Sequence, residues 1–312
     1  MKSSRKHKKT KKLYSYLAVL LLASLMMLLE KTEPAAPASQ EASLVQQADQ
    51  SLPDGAMRVY YLDVGQGSSA LVESDGHFML IDGGDRSHSS LVVSALQNLG
   101  VTSLDYILVS HYHADHLSGV VGALNAFDCQ TVICPDYETD TKLFSSFLTV
   151  LEEKEIPAIY PSPGDSFSFG NASFMVISPV SYRYEDENNN SIGIRLVHGE
   201  DSFLFTGDAE AESEEDFCKE NNPISCDVYA AGHHGSASST TWTLLEQALP
   251  EYVVISCGKE NSYGHPHEET MEKLEAIGAK VFRTDEQGTI LAISSGSGIT
   301  WEAEPFHDYS GD

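Results

Sequence analysis

The sequence predicts an α/β body in which mixed sheets are covered by helices. From residue 57 onward, short β-rich runs alternate with helical ones, and nothing resembling a linker interrupts them before residue 305. Apolar residues make up 41% of the 312, enough to bury a core and to exclude wholesale disorder.

The first runs are MRVYYLDV (57–64), SSALVES (68–74) and HFMLID (77–82), separated by the turn signals GQG and SDG. SSLVVSALQNLG (89–100) has helical spacing and ends on a glycine. YILVS (106–110) reads as a buried strand, and LSGVVGAL, past the next loop, as a helix. TVICP, the helix KLFSSFLTVLEEK and a strand-rich section over 165–208 follow. A helix over 209–219, DVYAAG, the helix TWTLLEQAL, YVVISCG, the helix EETMEKLEAIG and the strands KVFRT, GTILAIS and GITWEA complete the body. The expected segments are 1–30, a basic start plus signal or anchor helix; 31–56, a flexible linker; 57–305, one domain; and a tail, 306–312.

Charge divides the chain. Seven of the 19 Lys and Arg lie in MKSSRKHKKTKK, leaving 12 basic against 46 acidic side chains after it, a net charge of −34. Such a body repels polyanions at long range, which disfavours nucleic acid as a partner. The apolar run LYSYLAVLLLASLMMLL (13–29) follows the basic start, so the rest of the chain is expected outside the cytoplasm. A cleaved signal and a retained membrane anchor both fit. Residues 31–56, rich in Ala, Pro, Ser and Gln, read as a spacer. The five cysteines lack zinc-ribbon spacing and read as small buried residues, with a disulfide left open by export.

Seven of twelve histidines fall in three clusters. SHYHADHLSG places His111, His113, Asp115 and His116 on a strand-to-helix loop, where α/β proteins build their sites. Imidazole and carboxylate together suit zinc, and also manganese or iron. One loop with four ligands is more economical for two ions than for one. Asp208 ends the apolar strand of SFLFTGDAE, where its two oxygens could bridge two cations; a helix N-cap is the alternative. His233 and His234 follow DVYAAG, and His265 and His267 precede a helix, for which N-terminal packing is the plain alternative.

LDVGQGSSALV, LIDGGD, SHYHADHLSG, NNNSIGIRL, FLFTGDAE, AGHHGSASSTT and SYGHPH together resemble the metallo-β-lactamase-fold hydrolases. More narrowly they resemble the branch containing the metallo-hydrolase domain of ComEC-type competence proteins, over about residues 57–300. The resemblance implies a four-layer αββα sandwich with one or two metal ions, zinc first, manganese or iron(II) as alternatives. It makes His111 and His113 ligands of one ion and Asp115, His116 and His233 ligands of the other. His233 is preferred to His234 there because it directly follows the strand and its glycine. Asp208 bridges. Asp63, Asp82 and Asn189 support the ligands from behind.

Many relatives place a third histidine between the first loop and the bridging aspartate. Here that interval holds only His198, which reads as a solvent-facing hairpin tip, while Asn188, Asn189 and Ser191 match the pattern of the DVGQG branch. Water activated between the ions would attack, with Asp115 or Asp208 steering its proton. His234 or His265 would donate to a substrate oxygen. The expected activity is hydrolysis of phosphodiesters, nuclease-like as in the competence proteins or in an envelope polymer, with a small molecule or a polymer bearing cationic groups fitting the charge better than long DNA. An ester, thioester or lactam hydrolase of the same fold, or a binding module on a retired scaffold, are the alternatives. No protein partner is indicated, and the membrane is a partner only through an uncleaved N-terminal helix.

Overall fold

This computed structural model describes residues 55–306. The expected signal or anchor helix and nearly all of the spacer lie outside them, as do His307 and the rest of the tail. Among the described residues no helix is long and apolar enough to cross a membrane.

Among the described residues, fifteen strands form two sheets. The first contains β1 (Met57–Tyr61), β2 (Ala70–Ser74), β3 (His77–Ile81), β4 (Ser103–Leu108), β5 (Asp128–Ile133), β6 (Ala158–Ile159), β14 (Ile290–Ser294) and β15 (Ile299–Trp301). Its order is β15-β14-β1-β2-β3-β4-β5-β6. The second contains β7 (Ser166–Phe169), β8 (Ala172–Ser178), β9 (Gly193–His198), β10 (Asp201–Phe205), β11 (Val228–Ala230), β12 (Tyr252–Ile255) and β13 (Lys280–Arg283). Its order is β13-β12-β11-β10-β9-β8-β7.

Alternation of side chains across the pleat explains the layering. In β1, Val59 and Tyr61 enter the core between the sheets, with Val72, Leu108, Phe174, Ile194, Phe203 and Val254. Tyr60 and Leu62 instead join the helices α1 (Ser89–Asn98), α2 (Ala114–Ala126) and α3 (Lys142–Glu153) through Leu96, Leu117 and Phe147. On the far side, Leu204, Tyr229 and Val253 of the second sheet meet α4 (Ala211–Phe217), α5 (Trp242–Ala248) and α6 (Glu268–Ala276) through Phe217, Leu244 and Met271. The result is the four-layer αββα arrangement that the resemblance implies. A short α7 (Thr284–Gln287) follows β13, where the sequence suggests only the end of a strand.

Within the first sheet β3, β4, β5 and β6 run parallel, and within the second β10, β11, β12 and β13 do. Loops after parallel strands emerge on one edge, which is where such sheets present functional groups. At that edge Gly83 and Gly119 let the loop after β3 lie against the first turns of α2. The Gly83 N–H donates to His116 O at 2.8 Å, and the Gly119 N–H to Gly84 O at 3.1 Å. A Cβ on Gly119 would sit 1.7 Å from Gly83 O.

The opposite end is closed differently. His198 is 6% exposed, which corrects the expectation of a solvent-facing hairpin tip. Its Nδ1 lies 2.7 Å from Ser294 Oγ, which in turn donates to Asp201 Oδ2 at 2.6 Å. Ser294 belongs to the other sheet and is 96 residues away in sequence, so hairpin chemistry alone gives no sign of it. All five cysteines are free and four are buried.

Candidate metal centre

Each chemistry-bearing segment leaves the carboxyl end of a parallel strand: Asp82 after β3, the His111–His116 loop after β4, Asp208 after β10, His233 and His234 after β11, and His265 after β12. The two sheets therefore deliver their donors to one place.

Four side chains converge most closely. One ligand atom from each of Asp115, His116, Asp208 and His234 lies within 4.8 Å of the other three. His116 Nε2 is 3.2 Å from Asp208 Oδ1, and His234 Nε2 is 3.4 Å from both Asp208 Oδ2 and Asp115 Oδ2. The two imidazole Nε2 atoms are 3.3 Å apart.

The remaining ring nitrogens explain why these atoms face inward. His116 Nδ1 is 2.8 Å from Asp82 Oδ2, and His234 Nδ1 is 2.9 Å from Ser256 O. A carboxylate or carbonyl on the outer nitrogen fixes tautomer and ring plane and leaves the inner one as a ligand. Asp82, expected behind the ligands, is found there, 1% exposed, and also accepts from the Ser110 N–H and Oγ–H at 2.7 Å each. Replacing Asp82 with asparagine is expected to weaken metal affinity about 10–100-fold, because His116 loses its anionic anchor. A competitive chelator titration giving the wild-type affinity would refute that role.

The choice between the adjacent histidines is corrected by the geometry. His234, not His233, belongs to the four-donor group. Both residues adopt left-handed backbone, at φ 49° and 56°, as does Asp82 at 56°. The Gly232–Gly235 segment is therefore a tight 3₁₀-like turn rather than a continuation of the strand, and the first histidine past the glycine is not the one directed inward. His233 stands beside the group, its Nε2 3.8 Å from Asp208 Oδ2 and its Nδ1 3.2 Å from Glu210 Oε1.

His111 is fully buried, with Nε2 3.8 Å from Asp208 Oδ2 and no hydrogen-bond partner. An orphaned buried nitrogen beside a carboxylate is costly unless a cation completes it. His113 packs its ring at 4.7 Å from that of His111 but is more open, near Glu187 at 3.9 Å.

Electrostatics agree with a cation site. Burial disfavours charge on His116, yet Asp208 and Asp82 outweigh it and lift its pKa well above the usual imidazole range. The same contest raises His234 to about 9, through Asp208 and Asp115. Asp208, although buried, is held well below the usual carboxylate range by His116 and His234. His111 is pushed down by burial and by His116. The carboxylates thus hold positive charge in the cluster, and a dication bound there displaces protons from the imidazoles.

Three further residues brace the loops around the site. Asp63 Oδ1 accepts from the Gly65 N–H at 3.2 Å, bracing the DVGQG turn. Asn189 Oδ1 accepts from the Glu210 and Ser213 N–H groups at 3.0 and 3.2 Å, fixing the start of α4, while Ser191 Oγ accepts from the Asp208 N–H. His267 accepts from the Ala237 N–H through Nδ1 and faces Tyr263 O through Nε2, a packing role at the start of α6.

Above the donors opens a cleft of about 320 Å³ lined by His113, Asp115, Asp208, His233, His234 and His265, with Gln66 and Tyr263 at its wall. His265, expected as a donor to substrate, is therefore present at the site. Burial and the nearby His234 and His233 lower its pKa to about 4, so the ring is neutral. Gln66, in the GQG turn beside Asp63, lines the same cleft with no sequence signal to mark it.

A family model described as the metallo-beta-lactamase superfamily matches residues 62–259. The chain is 28% identical over 267 residues to ComE operon protein 3 of Bacillus subtilis, covering 80% of this chain and 34% of that protein. It is 31% identical over 234 residues to Recombination protein 2 of Haemophilus influenzae, covering 73% and 28%. Competence protein ComA of Neisseria gonorrhoeae is 26% identical, over 85% of this chain and 38% of its own length. The chain thus spans about a third of these relatives. Among solved structures, the metallo-beta-lactamase fold protein YhfI of Bacillus subtilis superposes with a TM-score of 0.51 at 15% identity, covering 77% of this chain and all of YhfI.

Proposed function

The chain belongs to the metallo-beta-lactamase superfamily, and from that membership we propose that it is an exported metal-dependent hydrolase of phosphodiester bonds. One observation carries the proposal. Four imidazole nitrogens from both sheets lie within 3.8 Å of the Asp208 carboxylate, and the one on His111 is buried without a partner.

Asp115, His116, Asp208 and His234 would hold one divalent cation, zinc first and manganese or iron(II) as alternatives. His111, His113 and His233, beside Asp208, would hold a second. A cation held there makes water acidic near neutral pH and neutralises charge growing on substrate oxygens. Asp115 or Asp208 would orient the attacking water and accept its proton. His265, at the cleft wall, donates a hydrogen bond to a phosphoryl or leaving oxygen, a contribution of about 10²–10³-fold for a pre-positioned donor.

The relatives named for competence and recombination support a phosphodiester over a lactam or thioester. The net charge of −34 after residue 12 favours a short diester, or an envelope polymer bearing cationic groups, over long DNA. The basic start and the apolar run at 13–29 support export.

The test is a substrate panel on the purified chain with added Zn²⁺ or Mn²⁺: bis-p-nitrophenyl phosphate, p-nitrophenyl phosphate, nitrocefin and single-stranded DNA. Diester turnover that a chelator removes and metal restores is the expected result. Turnover confined to nitrocefin, or a protein that neither binds metal nor hydrolyses any of the four, would overturn the reading.

A further inference from the structure

We infer that Gln66 is a positioning residue that sets the proton of His265 on Nε2, making that ring a fixed hydrogen-bond donor toward the cleft. The inference rests on the hydrolase reading for what the donor serves, but the proton's position follows from hydrogen bonding alone.

The Gly258 N–H donates to one end of the Gln66 amide at 3.1 Å. A backbone N–H is only a donor, so the atom receiving it is the carbonyl oxygen, and the amide cannot be flipped. Its other end is then the NH₂ group, which lies 3.3 Å from His265 Nδ1. An N–H on Nδ1 would set two donors against each other. Nδ1 therefore accepts, and a neutral ring carries its proton on Nε2.

The ring is held in that pose from several sides. Its backbone N–H donates to Asn261 Oδ1 at 3.0 Å, and its carbonyl accepts from Asn261 Nδ2. Tyr263 stacks on the ring with centroids 5.6 Å apart, and His267 meets it edge-on at 4.8 Å. Among the described residues Nε2 makes no hydrogen bond, while both His265 and Gln66 line the cleft beside Asp208. One backbone donor on the loop after β12 thus dictates, through the DVGQG turn, which nitrogen can meet a substrate oxygen. His265 is consequently a donor and not a metal ligand, since a ligating Nε2 must be bare.

The discriminating variant is Gln66→Glu. A carboxylate still accepts from the Gly258 N–H, but its second oxygen calls for a proton on Nδ1. Long-range ¹⁵N–¹H spectra of the labelled full chain with zinc, with His265 assigned by its loss in His265→Asn, read this directly. Wild-type protein is expected to show a bare Nδ1 and a protonated Nε2, and Gln66→Glu a protonated Nδ1. At pH 8.5, kcat on the diester substrate is expected to fall about 10–100-fold in Gln66→Glu with KM within twofold. A wild-type Nδ1–H or an unchanged spectrum in the variant would overturn the proton assignment, and an unchanged kcat would overturn the donor role of His265. If the variant does not fold, the wild-type spectrum still decides. Spectra as expected with no diester turnover by the wild type would overturn the phosphodiester reading and leave the proton assignment standing.

Discussion

Replacing Asp208 with asparagine is expected to lower kcat/KM about 10³-fold or more, roughly 4 kcal/mol of lost transition-state stabilisation, and to remove bound metal. The substitution keeps the shape of the side chain and removes its charge. Asp208 is the acid toward which four imidazoles point, at 3.2 to 3.8 Å. Without it, only Asp82 beside His116 and Asp115 beside His234 still oppose burial, so both pKa values fall from their raised positions. The anion that would draw a cation between the rings is gone. Breaking a buried charge cluster by removing one member costs about 3–5 kcal/mol. Metal content by mass spectrometry and turnover of the same preparation check both parts. Full metal occupancy with near-wild-type kcat/KM would show that the Asp208 carboxylate is not needed to hold the metal.

Gly119→Ala is expected to destabilise the protein by about 3 kcal/mol or more, the upper end of overpacking effects. In an ordinary helix interior the change favours folding by about 1 kcal/mol. Here the sign reverses. A Cβ would lie 1.7 Å from Gly83 O, and backbone has no rotamer into which it can retreat. Relief requires α2 to move from the loop after β3, which breaks the bonds from the Gly83 and Gly119 N–H groups and carries Asp82 away from His116. A drop of about 10 °C in melting temperature is expected, at 2–4 °C per kcal/mol for a domain of this size. An equal or higher melting temperature would mean that α2 does not need this contact.

The ligand loop was legible because H-x-H-x-D-H follows a buried strand directly, so its placement at a sheet edge needed only local pattern. Asp208 and Asp82 were legible for the same reason, each ending an apolar run. The selection of His234 over His233 was not. It depends on two successive left-handed residues, and nothing in GHHGS signals a backbone that only the surrounding packing can impose. The burial of His198 was hidden because its partner Ser294 comes from the other sheet. Gln66 was hidden by its setting, since a turn glutamine has no function until Gly258 and His265 are brought to it from about 190 residues away. Local chemistry was readable, whereas contacts made by folding were not.

The donors are divided between two layers: Asp115 and His116 belong to the first, Asp208 and His234 to the second. A cation gripping all four is a rivet across the seam of the sandwich, so its loss unfastens the molecule as well as stopping chemistry. Stripped protein should fray first along this edge, and amide exchange there should quicken while the far end, clasped by His198 and Ser294, stays shut.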